Sequence, residues 1–366
     1  MQLASFTNEY YDFYAPNHCV KVSGQELVRD LEIPVSQVEV DMVLGAASRF
    51  SFTVNDSYRP ESQSFETGRG RVLPFAFGAE VEIQMGYRDR GGMQTTIKGV
   101  ITEIATSFPE GASPELIISG YDSGFPMTMG KNTRTWSEAY DSDAAHEIAS
   151  FHNLNAKITP TKENHAQIEQ NQESDWAFLK KLADRNHYEM YVDESSTFRF
   201  GPPNDKGKNK VADLVYGEGL LSFKPEANLA GQVTKVEVYG WDPANKKTIV
   251  GVASAGEESG LEGRSAGQFL GSFVRDPSKA PVMRLRQPVF TQAEANTRAK
   301  AALSERAKQF LTGEGESLGL PELRPDRSVA LTRLGQFTKV YYIQQATHKV
   351  DSSGYRTRFK VKETGL

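Results

Sequence analysis

Cysteine is almost missing from this chain: Cys19 is the only one in 366 residues. That excludes an intramolecular disulfide and any metal site built on a cysteine cluster. Long apolar runs are missing too, and none approaches the roughly 20 residues that a membrane helix needs. The first residues mix Glu9 and Asp12 with aromatics where a secretory leader would have a basic start and an apolar core, so assembly in the cytoplasm is expected. An excess of one charge sign is lacking as well. Lys and Arg number 42 against 47 Asp and Glu, interspersed, for a net charge of -5. A sequence-specific nucleic-acid binder would show a basic excess gathered into a patch. What the chain has is strand and turn material, with 31 glycines and 10% aromatic residues. At this length, 38% hydrophobic residues suffice for two or three cores.

The clearest local pattern closes the chain. In Lys339 to Glu363, two runs rich in β-branched and aromatic residues flank Asp351, Ser352, Ser353 and Gly354. Tyr355, Thr357, Phe359 and Val361 alternate with Arg356, Arg358, Lys360 and Lys362, which predicts a hairpin with one buried and one cationic face. Shifted back by 241 positions, Lys98 to Asp122 repeats the layout, and Ala105 and Thr106 fall on Ala346 and Thr347. Upstream of each copy runs a strand closing on glycine: Val81, Ile83, Met85 and Gly86 in one, Val329, Leu331, Leu334 and Gly335 in the other. The shared order of strand, glycine and hairpin implies two copies of one β module.

Elsewhere, Val38, Val40 and Met42, then Phe50, Phe52 and Val54, alternate with polar neighbours after an aromatic lead of Phe6, Tyr10, Tyr11, Phe13 and Tyr14. Arg59 to Gly78 reads as a polar loop. Helical spacing begins at Ser142 to Asn153 and strengthens from Ser174, where Trp176, Leu179 and Ala183 share a stripe beside Phe178 and Leu182. Tyr188, Met190 and Val192, a turn at Glu194 to Ser196, then Phe198 and Phe200 make a second hairpin. Gln232 to Trp241 reads as a further barrel strand and Ala253 to Gly271 as a long irregular loop. A capping box at Thr291 and Glu294 opens a helix with an alanine face that Gly313 is expected to stop. The expected fold is mainly β with α/β insertions: two similar β-barrel domains, a helix-hairpin insert and a long helix in the second half. The boundaries fall at 1–125 for the first barrel, 126–210 for the insert, and 211–366 for the second barrel, with its helix at about 291–312.

Two stretches carry a family resemblance: QNQESDWAFLKKLADRNHYEMYVDESSTFRFG and LRPDRSVALTRLGQFTKVYYIQQATHKVDSSGYRTRFKVKE. They resemble the baseplate hub proteins of contractile phage tails and injection systems, namely the late control protein D family and the N-terminal hub part of VgrG. The resemblance implies a homotrimer in which each subunit contributes two similar barrels. Such a ring is a symmetry adaptor joining a hexameric tail tube, or tube-initiator protein, to a trimeric spike, with baseplate wedge proteins around it. It implies no membrane partner, no cofactor and assembly in the bacterial cytoplasm. The chain ends about where the second barrel closes, so the spike is expected to be a separate polypeptide.

No residue is assigned a catalytic, metal-binding or cofactor-binding role. His146-Glu147 starts like a zinc-protease motif, but Ser150 stands where the second histidine belongs. His18 and Cys19 are strand neighbours and point to opposite faces. Gly217-Glu218-Gly219 and Gly313-Glu314-Gly315 are too short for phosphate loops and read as turns. Glu257 and Glu258 sit in a polar loop with nothing to fix a carboxyl separation. The cationic face of Arg356, Arg358, Lys360 and Lys362 has two readings: a solvated edge strand, or a surface turned to an acidic partner or to the channel of a ring. The competing functional classes are a cell-wall glycan hydrolase and a carbohydrate-binding component of a tail tip.

Overall fold

Alternation of apolar and polar residues sets the strands, and their pairing sets the architecture. The computed structural model describes residues 10, 13–55, 58–65, 73–88, 92–111, 113–204, 210–242, 246–259, 261, 263–274 and 276–366. Phe6 and Tyr11 of the aromatic lead, and 66–72 of the expected polar loop, lie outside them.

Six longer N-terminal strands come first, β1 (Pro16–Val22), β2 (Val35–Val43), β3 (Arg49–Val54), β4 (Glu80–Tyr87), β5 (Met93–Ser107) and β6 (Glu115–Asp122), with two-residue strands at Gln25–Glu26, which pairs with β1 in the same sheet, and at Tyr58–Arg59 and Ser64–Phe65. An insert follows with β7 (Asn132–Tyr140), α1 (Asp141–Phe151), β8 (Asn155–Ile158), β9 (Asn164–Glu173), α2 (Asp175–Asn186), β10 (Glu189–Val192) and β11 (Thr197–Gly201). The remainder holds β12 (Lys210–Tyr216), β13 (Gly219–Ala227), β14 (Lys235–Asp242), β15 (Lys247–Ser254), α3 (Ala266–Phe273), β16 (Val282–Arg286) and α4 (Gln292–Ala307). The last four strands are β17 (Leu311–Leu318), β18 (Ser328–Thr332), β19 (Lys339–Asp351) and β20 (Gly354–Glu363).

The duplication read from the two hairpins extends to whole modules. The N-terminal strands lie side by side as β1-β4-β5-β6-β3-β2, and the C-terminal ones as β12-β18-β19-β20-β17-β13, so strands of the same sequence rank take the same place. Irregularities repeat as well. A bulge between Val35 and Gln37 matches one between Leu220 and Ser222, and a bulge between Ile101 and Glu103 matches one between Ile343 and Gln345. Bulges are local devices that bend a strand, so their shared positions are a structural counterpart of the sequence repeat. The ladders place Val81 and Ile83 opposite Gly99 and Ile97, as Val329 and Leu331 stand opposite Tyr341 and Lys339. They also correct the residue alignment by one: Ile104, not Ala105, occupies the place of Ala346. Between the equivalent ladder pairs Ser107–Glu115 and Lys349–Arg356 the first hairpin carries one residue more, which an ungapped comparison cannot register.

The two modules differ in closure. Parallel pairing of Val215 with Gly219 and Tyr216 with Leu220 joins β12 to β13 and closes six strands into a barrel. In the N-terminal module β1 runs antiparallel to β4, whereas β12 runs parallel to β18, and β1 and β2 share no ladder. Burial lowers the pKa of the His18 imidazole, partly offset by the Val35 backbone. The outer edge of β2 is taken by β19, with Val38 opposite Val350 and Val43 opposite Gln345, so both modules belong to one 13-stranded sheet over one continuous core. Cys19 is buried in β1.

The insert has a core of its own from Met127 to Phe200, in which Trp176, Phe178, Leu179, Leu182 and Ala183 of α2 pack on β10 and β11. Ser174 caps α2 by accepting from the Ala177 N–H. The insert docks on the barrels through the Gly45 N–H to the Met190 carbonyl, Trp176 Nε1 to the Gly45 carbonyl, and an Arg324–Glu194 ion pair at 2.9 Å.

Three expectations for the second half change. The Gln232–Trp241 strand lies outside the barrel, as β14 of a separate β15-β14-β16 sheet that packs on α4. The expected irregular loop ends in α3, where Ser265 and Gln268 form a capping box. The long helix stops at Ala307, short of 312, because Phe310 and Leu311 are drawn into the barrel core. Gly313 is therefore a strand residue. The alanine face does bring backbones together: a Cβ on Gly251 would stand 2.1 Å from the Ala295 carbonyl oxygen. Gly251→Val should therefore push α4 off its sheet at a cost of about 1–3 kcal/mol, read as a lowered urea midpoint, while Thr248→Val on the same strand stays within about 0.5 kcal/mol of wild type.

Candidate functional site

Eight strands run antiparallel side by side in the order β5-β6-β3-β2-β19-β20-β17-β13, four from each module. Strand alternation sends one set of side chains into the core and the other outward. Inward go Val38, Val40, Phe50, Phe52, Ile118, Ala346 and Phe359, all 2% exposed or less. The outward set is a polar ribbon across both modules, and the four sequence-singled cations Arg356, Arg358, Lys360 and Lys362 stand on it, on β20.

Sequence reading missed their neighbours. Arg358 Nε lies 3.0 Å from Glu316 and Lys360 Nζ 3.4 Å from Glu314, both on β17. Gly313-Glu314-Gly315 is thus not a turn but a stretch of strand, its glycines leaving room inside for the Phe223 and Phe359 rings. The signal was present in the alternation of glycine with glutamate, but glycine reads locally as a turn. Further along, Asp41 accepts from Gln345 at 2.8 Å and Thr347 at 2.7 Å, and Arg49 bridges Glu103 at 2.9 Å. Opposite charges therefore sit across the β17–β20 pair and between Arg49 and Glu103, each exposed pair worth little in stability, while Asp41 has neutral partners at the joint between the modules. Gly217-Glu218-Gly219 is a turn as expected, with Gly217 at φ +85°.

The remaining candidates are tied into their own surroundings. Glu147 is exposed and accepts from Trp136 Nε1 at 2.7 Å. His152 pairs with Asp175 at 2.8 Å. Glu257 accepts from the Ser254 N–H and Glu258 from the Gly256 N–H, each bracing one turn. Burial raises the carboxyl of Asp122, to about 6 despite hydrogen bonds from Ser48 and Gly124, and that of Glu189, to about 7 despite Lys308. Neither lies on the ribbon's outward set. Among the described residues no group of three or more His, Cys, Asp or Glu is placed to hold a metal ion, and no helix is long and apolar enough to cross a membrane.

A family model described as the Alg8 N-terminal domain matches residues 15–352. No curated protein matches the sequence. Among solved structures, the 43 kDa tail protein of prophage MuSo2 from Shewanella oneidensis superposes with a TM-score of 0.71 at 12% identity, covering 96% of this chain and 99% of that one. The tail protein from Neisseria meningitidis MC58 gives 0.70 at 15% identity, covering 96% and 97%. The E. coli c3393 protein, described as a component of the type VI secretion system with structural similarity to T4 bacteriophage tail proteins, gives 0.54 at 12%, covering 93% and 76%. At such identities the likeness is one of fold, and it spans nearly the whole of this chain.

Proposed function

We propose that this chain, which belongs to the family described as the Alg8 N-terminal domain, is a structural component of a contractile tail or injection-system baseplate, and specifically its hub. In this reading three copies form a ring that joins a hexameric tube, or tube-initiator protein, to a separate trimeric spike, with wedge proteins outside. It does so without a catalytic step or cofactor, and it assembles in the bacterial cytoplasm. The units are 1–125, 126–210 and 211–366, the middle one and the β14–α4 region being insertions on a duplicated module.

One observation carries this reading: two modules in one chain with the same strand order and the same bulges. A threefold object can meet a sixfold one through repeated contacts only if each subunit presents two near-equivalent surfaces. The tail-protein fold and the resemblance to the hub proteins of late control protein D and VgrG support the same assignment.

The cationic strand gives a test. Because Glu314 and Glu316 stand beside Lys360 and Arg358, neutralising these cations is cleaner than reversing them. Arg358→Gln with Lys360→Gln should leave the urea midpoint within about 0.5 kcal/mol of wild type, since both pairs are exposed. If the ribbon faces an acidic tube or spike, co-purification with that partner should fall at least about tenfold, a loss of roughly 1.4 kcal/mol. Undiminished capture would remove these residues from the contact. Clearing of peptidoglycan by the purified chain in zymography would overturn the purely structural assignment.

A further inference from the structure

The insert meets the barrels along a narrow polar strip with a cleft at each end. Its apolar core, from Met127 to Phe200, shares no residue with the core beneath the 13-stranded sheet. The strip holds the Gly45 N–H on the Met190 carbonyl at 2.9 Å, Trp176 Nε1 on the Gly45 carbonyl at 2.9 Å, Tyr191 on Asp326 at 3.1 Å and the Arg324–Glu194 ion pair at 2.9 Å, beside a cavity of about 90 Å³. Along β10 and the turn after it the insert passes from one cleft to the other. Glu189 lines the first, Met190 to Glu194 face the strip, and Ser196 lines the second. The first cleft, of about 650 Å³, lies between α2 and α4, and the second, of about 530 Å³, lies against β1, β4 and β5. A small polar joint with room on both sides lets one body turn on another.

The α4 cleft is incompletely closed. Lys308, just past the end of α4 and 8% exposed, holds its ammonium 3.9 Å from Glu189 Oε1, about 1 Å beyond a charge-assisted hydrogen bond, with the Tyr342 ring 5.9 Å away. His187 Nε2 on the insert and Gln344 Nε2 on β19 are buried in its walls without a hydrogen-bond partner, a costly state for each. Four further cations of the lining are already committed: Lys180 to Asp184, Lys181 to Glu173, Arg185 to Asp141 and Arg298 to Glu294. The unmatched groups therefore sit on walls that a small turn of the insert brings together.

We infer that the insert is a rocking unit that pivots on the Gly45 strip, with Glu189 and Lys308 as the latch of its closed state. As the α4 cleft shuts, the cleft against β1, β4 and β5 widens. Gly45 suits the pivot. Its φ is +76°, and a Cβ there would stand 2.6 Å from Lys180 Cε, so glycine lets this piece of barrel backbone reach both Met190 and Trp176. In a hinge of this kind a few positions absorb the change while the packed bodies move whole. Pivot and latch both lie within one chain, so the motion does not depend on the hub reading.

Pulsed EPR distances between nitroxide pairs on the full-length chain test the motion. Lys181→Cys with Thr297→Cys spans the α4 cleft, and Lys98→Cys with Asn155→Cys spans the opposite one; all four positions are exposed, while Cys19 is buried. Each pair is measured in the otherwise wild-type chain and in Glu189→Gln with Lys308→Gln, which discharges the latch. Discharge should lengthen the first distance and shorten the second, each by at least about 2 Å. Distances that stay unchanged, or that shift in the same direction, overturn the rocking motion. The melting temperature and the emission of Trp136 and Trp176 in the insert core report whether the fold is intact. Should the double substitution unfold the insert, lowering the pH of the labelled wild type from about 8.5 to about 6 discharges the latch instead, because burial raises the Glu189 carboxyl to about 7. Facing that carboxyl are Lys308 and Glu305 from the α4 side, Asp326 before β18 and Lys180 of α2. The same opposite shifts are then expected, and their absence overturns the motion.

Discussion

Asp175→Ala is expected to unfold the insert at a cost of about 3–5 kcal/mol. Asp175 is 1% exposed at the start of α2, and its carboxylate accepts from Asn132, Arg134 and Gln170 while paired with His152. Burial pushes this carboxyl up, but the hydrogen bonds from Gln170, His152, Arg134 and Asn132 outweigh it and hold the pKa at about 2. Removing it strands a guanidinium and an imidazole against a half-dry wall, whereas Asp175→Asn keeps one acceptor and should cost less. The readout is internal. Trp136 and Trp176 lie in the insert core at 8% and 7% exposure, while Trp241 is 52% exposed, so tryptophan fluorescence in urea follows the insert. Because the folded pKa lies below the unfolded one, this carboxylate contributes stability above about pH 4 that is lost as pH falls toward 2. The alanine variant should lack that acid transition; an unchanged urea midpoint would refute the role assigned to Asp175.

The second large effect lies under the β19–β20 hairpin, where His348 is fully buried. Its Nε2 is 2.9 Å from the Leu323 carbonyl, which can only accept, so Nε2 carries the proton and Nδ1 accepts from the Tyr355 hydroxyl at 2.8 Å. Burial, reinforced by the nearby Arg324 guanidinium, pushes its pKa down to about 3. The unfolded chain therefore binds a proton that the folded chain refuses. Stability from this residue is full above about pH 6.5 and falls by about 1.4 kcal/mol per pH unit below that, levelling only near pH 3. His187, pushed to about 4 by burial, acts in the same direction. Asp122 and Glu189, raised to about 6 and 7, act oppositely, because the folded state holds their protons more tightly. The decisive quantity is thus a difference: between pH 6 and 4.5 the stability slope of wild type should exceed that of His348→Gln by about 1.4 kcal/mol per pH unit. Equal slopes would show that the imidazole titrates normally.

These two sites differ in how much of them was legible beforehand. The helix that begins with Asp175 was visible because Ser174 and the Trp176, Leu179, Ala183 spacing are local signals. Its carboxylate partners were not, since Asn132, Arg134 and Gln170 arrive from β7 and β9 through pairing that no short-range pattern announces. His348 sat in a recognised strand, yet its burial depends on the Leu323 segment folding over it. The alternation of Arg356, Arg358, Lys360 and Lys362 was legible in the sequence, but their charge balance was not, because Glu314 and Glu316 belong to a stretch whose glycines imitate a turn.

Sequence alone therefore determined the β class, the insert's helices and hairpin, and the presence of two related hairpins, because alternation, capping and helical spacing are set by neighbours within a few residues. Tertiary structure alone decided that β2 crosses to β19 and which edges are left over, because those strand partners lie hundreds of positions apart, and it decided which module closes because β12 reaches its neighbour β13 only while laid against the distant β18. Only burial of a shared core selects among those pairings, and a shift of one residue would turn every side chain in a strand to the wrong face.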